Sequence, residues 1–134
     1  MSLIQTPVSY GELIDKMTIL QIKLQEIKDE AKLANVRNEL ELLEATWKND
    51  KASGTDIADE TGRLLAVNQR LWKIEDDIRM KERAQAFDDE FIRLARSVYI
   101  ENDERAAIKR EIKLKLGSTL VEEKSYRDYR APQA

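Results

Sequence analysis

The chain has 134 residues, enough for one cooperative domain with a moderate core and short of the usual two-domain length. It is 37% charged and 42% hydrophobic with a formal net charge of −3, which suits solvated amphipathic helices and gives no field to attract nucleic acid or an anionic membrane. Cysteine and histidine are both absent, which excludes disulfides, thiolate chemistry, Ser-His-Asp and Cys-His nucleophiles, the helical Glu-x-x-His di-iron site and histidine pH switches.

In chain order, residues 1–8 contain Pro7 and read as extended. Ser9 and Glu12 then form a capping box, with the hydroxyl accepting from the backbone N–H three residues on and the carboxylate reaching back. Leu13, Met17, Leu20, Leu24 and Ile27 follow at alternating four- and three-residue spacing, one stripe of a first helix. The next set, Leu33, Val36, Leu40, Leu43 and Trp47, is regular but slips phase, which a tight turn within 28–35 explains by reversing the chain into a second, antiparallel helix. Residues 49–56 (NDKASGTD) are a loop, with Gly54 as breaker and Thr55 or Asp56 as the next N-cap.

The third helix runs from that loop to about Arg83, with Leu64, Val67, Leu71, Ile74 and Ile78 as its seam. Phe87, Phe91, Leu94, Val98, Ile108 and Ile112 mark a further stripe, either one helix to Leu116 or two helices with a restart at Asn102 or Asp103. Gly117 ends it in the C′ position. Residues 12–53 and 63–116 hold no Gly or Pro, so an all-α antiparallel bundle of four to five helices, two of them long, is predicted over 9–117, followed by a polar tail over 118–134. In that tail Tyr126 and Tyr129 are candidate anchors, and disorder is expected after Pro132. The long pair projects beyond the short pair, and exposed ends of apolar stripes are normally covered by a second subunit, so a homodimer is expected. The longest apolar run, 64–67, is far below the roughly 20 residues of a bilayer span, and no signal-peptide core precedes Pro7, so the expected location is the cytoplasm.

Seven acid-before-base pairs at i,i+4 spacing are expected on the outer faces: Glu12/Lys16, Glu44/Lys48, Asp59/Arg63, Glu75/Arg79, Asp77/Lys81, Asp89/Arg93 and Glu111/Lys115. Three polar constellations carry any chemistry. Asn68, Trp72, Glu75, Arg79 and Glu82 form one stripe beside the third helix's seam: Glu75 and Glu82 could hold a divalent cation with Arg79 pairing an anion, or the stripe is a salt-bridge ladder that sets register. Arg96, Ser97, Tyr99, Asn102, Asp103, Arg105 and Lys109 form the second, where a break at Asn102 would present backbone N–H groups to an anion, or merely cap a helix. Acids three apart, Glu12/Asp15, Glu26/Asp29 and Glu41/Glu44, with the run Glu75, Asp76, Asp77, have the spacing of Mg²⁺ ligands in four-helix nucleotide pyrophosphatases, but so acidic a chain produces such pairs by chance. Lys109, Arg110, Lys113 and Lys115 complement a helix C-terminus without any partner.

Residues 7–20 (PVSYGELIDKMTIL), 35–43 (NVRNELELL), 71–82 (LWKIEDDIRMKE), 87–112 (FDDEFIRLARSVYIENDERAAIKREI) and 122–126 (EEKSY) make the chain similar to a small bacterial family, domain of unknown function 6165, over nearly its whole length. The resemblance implies no reaction, ligand or catalytic residue, only a setting among surface-polysaccharide genes. Its strings are richer in polar residues than packing requires, which points to a binding role for Glu12, Asp15, Lys16, Glu75, Arg79, Asn102, Asp103, Arg105 and Lys109; Asn68, Arg96 and Tyr99 of the polar constellations complete the candidate ligand-binding set. Two functional expectations follow: a non-enzymatic interaction or accessory module, homodimeric and possessing no cofactor, with a protein partner; or a binding protein or enzyme that holds a phosphorylated or nucleotide-linked small molecule with Mg²⁺ in an Arg/Lys-rich polar centre.

Overall fold

A computed structural model describes residues 2–117 and 125–130. Among these it contains four α-helices, α1 (Tyr10–Glu26), α2 (Glu30–Asn49), α3 (Ala58–Arg83) and α4 (Asp89–Lys115), a 3-10 turn at Lys51–Gly54 between α2 and α3, and no strand. No described helix is long and apolar enough to cross a membrane.

Each helix start has a local cause. The Ser9 hydroxyl accepts the Glu12 N–H at 3.2 Å, the Asp29 carboxylate accepts those of Ala31 and Lys32, and Asp88 accepts that of Phe91 at 3.0 Å. The capping box at Ser9 is only half formed, because Glu12 is drawn instead to Lys109 of α4 at 2.6 Å. The turn between α1 and α2 is tighter than the 28–35 window, since Asp29 already caps α2. Neither Thr55 nor Asp56 occupies the N-cap of α3; Ile57 does, without a side-chain cap bond, while Asp56 accepts from the Ala58 N–H. Gly117 closes α4 at φ +70, a conformation that suits a residue with no Cβ.

Helix α4 runs unbroken through Asn102 and Asp103, so the count is four rather than five. The N–H groups there serve the helix ladder, and the expected anion site at a helix restart does not form.

The helix α1 runs antiparallel to α2 and α4 and packs on α3 as well, whereas the backbone of α2 stays away from those of α3 and α4. Ile14, Met17 and Leu20 of α1 meet Val36 and Leu40 of α2, Leu64 and Val67 of α3, and Ile108 and Ile112 of α4 in one core. At one point α1 and α4 approach so closely that a Cβ on Gly11 would lie 2.5 Å from the Lys109 carbonyl oxygen. Only glycine fits there. Trp47 packs edge-on to Tyr10 at 6.2 Å and against the core's rim, while Phe87, the first residue of the further apolar stripe, is 54% exposed beside Phe91.

Of the seven i,i+4 pairs, Asp59/Arg63 and Glu75/Arg79 form. Several of the other charges reach across helices instead: Lys16 to Glu39, Glu111 to Arg63 in a bidentate pair, and Lys115 to Glu60. The expected basic patch on α4 is thereby dispersed, with Lys113 itself buried. Lys115 holds the Glu60 carboxyl below its usual range, and Arg63 does the same to Glu111. The α3–α4 turn is fastened by Lys81, which pairs with Asp88 at 3.0 Å and Glu90 at 3.1 Å and lowers the Asp88 carboxyl.

From 69 to 107, which takes in the second half of α3, the turn and most of α4, no residue is buried. Apart from its two ends, where Leu71 packs on the core and Arg105 meets Asp15 of α1, this arm extends the α3–α4 pair beyond the core. Its seam residues Leu71, Ile74, Ile78, Phe91, Leu94 and Val98 are all half-buried, and Met80, Ile92, Tyr99 and Ile100 are exposed. Of the tail, Tyr129 lies on Tyr99 at 5.4 Å between ring centroids and Tyr126 is largely exposed; residues 118–124 and 131–134, including the expected disorder after Pro132, lie outside the described residues.

Candidate functional site

The α1 face that meets α3 and α4 buries a carboxylate. Asp15 is 1% exposed, and its oxygens accept from Arg105 Nε at 2.9 Å, from Arg105 Nη2, and from the Asn68 amide at 2.9 Å. The same amide nitrogen donates to the Thr18 hydroxyl, which in turn donates to the Asp15 carbonyl at 2.7 Å. One turn toward the start of α1, Glu12 pairs with Lys109. A pair like Asp15–Arg105 is costly to desolvate and survives in the interior only with its remaining oxygen capacity satisfied, which Asn68 does.

Next to this network a cleft of about 500 Å³ opens between α1, α3 and α4. Asn68 and Arg105 are among its polar lining residues, Ile19, Ile22 and Leu71 among its apolar ones, and the half-buried Trp72 lines it as well. Glu75, Asp76, Arg79 and Asn102 complete the rim, with Arg79 Nε donating to Glu75 at 3.2 Å. A volume of this size lies in the range of small-molecule sites, and apolar walls with a few convergent polar groups are their usual lining.

The sequence-derived set thus divides. Asn68, Glu75, Arg79, Asn102 and Arg105 converge on the cleft, with Asp15 behind Arg105 and Glu12–Lys109 extending the same interface. Lys16 turns away to Glu39 on α2. Glu82 does not line the cleft, Glu75 is engaged by Arg79, and the described residues contain no group of three or more acids that could hold a metal ion, so the cleft does not bring Glu75 and Glu82 together. Arg96 is exposed elsewhere on α4. Tyr99 and Asp103 instead line a second groove, of about 700 Å³, between α4 and the tail residues Tyr126, Arg127 and Tyr129, which Asn102 also borders.

Sequence reasoning missed Thr18, Ile19 and Ile22. Thr18 was recoverable in principle, standing three residues after Asp15 on the same face. The two isoleucines carry no signal of their own, since whether an apolar residue meets a core or a cleft depends on what the facing helices place opposite it.

No curated protein and no solved structure matches the chain. A family model does, over residues 4–132, so that it spans α1 to α4, the cleft and the described tail: the chain belongs to the family of unknown function DUF6165.

Proposed function

We propose that the protein is a non-enzymatic interaction module that works as a homodimer, with two α3–α4 arms packed into a four-helix bundle. The observation that carries this reading is the arm: 39 residues, 69–107, with no buried side chain and an apolar seam along both helices. A compact monomer of 15.6 kDa exposes about 7,250 Å². This chain exposes 9897 Å². Extended segments outside the helices contribute to the roughly 2,600 Å² excess, as does the arm, and obligate dimers cover on the order of 1,000–2,500 Å² per partner.

A second copy is the occupant that fits. Two antiparallel helices leave one face open, and an identical pair related by a two-fold axis closes it with the same residues on both sides. The arm carries ten acidic and eight basic residues, so its net charge is small and self-association meets only weak repulsion. Light scattering on a sizing column tests this at micromolar concentration. The expected mass is twice 15.6 kDa; Ile78→Asp and Ile92→Glu are expected to return it to the single-chain value while far-ultraviolet circular dichroism remains helical. A wild-type chain that stays at the single-chain mass rejects the proposal.

A further inference from the structure

We propose that the cleft between α1, α3 and α4 binds a small organic cation, of the alkylamine or guanidine class, against the ring of Trp72. The inference is independent of arm pairing and rests on the charges that face the cleft. Both of its guanidinium groups already face a carboxylate: Arg105 is held by the buried Asp15 through two nitrogens, and Arg79, on the exposed rim, pairs with Glu75 through Nε. Asp76 also lines the cleft and, among the described residues, makes no ion pair.

The cleft and the carboxylate behind it therefore carry three acids, Asp15, Glu75 and Asp76, against two bases. A phosphate entering here would have to compete with Asp15 for Arg105 and would approach two rim carboxylates. A cation meets the surplus negative charge directly, and the face of an indole is itself attractive to cations through its quadrupole. Ile19, Ile22 and Leu71 supply the apolar wall that an alkyl chain requires. Asn68 is tied by its amide nitrogen to Asp15 and Thr18, which fixes the side of the cleft opposite the rim before any ligand arrives.

Trp72 is also the reporter. The chain has two tryptophans, so Trp47→Phe leaves Trp72 as the sole indole emitter. The experiment titrates this protein with agmatine and putrescine and, at matched ionic strength, with AMP and inorganic phosphate. The expected result is a saturable change in Trp72 emission with an amine, with a dissociation constant in the micromolar to low millimolar range. Calorimetry on Asp76→Asn and Glu75→Gln, both exposed substitutions that leave the core untouched, should show affinity reduced about tenfold. Saturation by AMP or phosphate instead overturns the proposal in favour of an anion site. An absence of saturation by any probe up to about 10 mM also overturns it, as does amine binding that is unchanged in both variants.

Discussion

The two halves of the α3–α4 pair are built from the same stripe pattern and differ completely in burial. Between 58 and 68, and again between 108 and 115, the stripe meets α1: Leu64 and Ile112 are 0% exposed and Val67 is 1% exposed. Between 69 and 107 the stripe continues with comparable residues, yet the most enclosed of them are only half-buried. Periodicity thus decides where a helix puts its apolar side chains. Whether those side chains leave water depends on a third element, and α1 supplies it for only half the length of α3 and α4.

The sharpest test of this contrast is a pair of identical truncations. Leu64→Ala should cost about 4 kcal/mol, and a fall in Tm of roughly 10 °C or more, because a fully enclosed side chain leaves a cavity. Leu94→Ala, half-buried in the arm, should cost about 1 kcal/mol or less when measured dilute enough that chains are separate. Equal losses would mean that the arm is covered. Next in size is Asp15→Asn, which keeps the shape of the side chain but removes the countercharge of Arg105. About 3 kcal/mol is expected from urea unfolding, whereas Arg79→Ala, on the exposed rim, should change stability by about 0.3 kcal/mol. A large effect at Arg79 would show that the rim is packed against something in solution.

Much of the fold was legible because helix starts and stripes are local properties. Ser9, the turn before α2 and Gly117 each act through neighbours in sequence. The errors arose where distant residues decide. Glu12 leaves its capping role because Lys109, 97 residues later, offers a full charge at 2.6 Å. Glu111 and Lys115, ideally spaced to pair with each other, find Arg63 and Glu60 across the helix interface. Asn102 has the chemistry of a cap, yet α4 carries straight on, with Ile108 and Ile112 docked on the far side of it.

The candidate site divides along the same line. Helical spacing put Asn68, Glu75 and Arg79 on one stripe, and that stripe does line the cleft. Spacing could not reveal that Asp15 would be sunk behind Arg105, or that Tyr99 would face the tail rather than the cleft. Those outcomes depend on how α1 sits against α4, which is set by the close approach at Gly11 and by the Glu12–Lys109 and Asp15–Arg105 links that follow it.

The position of α1 at the centre of the fold also dictates when the chain can finish folding. Emerging first during synthesis, α1 can pair with α2 at once, but the groups that cover its third side, Arg105, Ile108 and Ile112, arrive about 90 residues later. Until then Ile14 and Asp15 stand open to water, a long-range closure of the kind that slows folding. A nascent chain released before α4 is complete would hold its central helix with one flank bare, which makes the last quarter of the sequence the step that commits the whole domain.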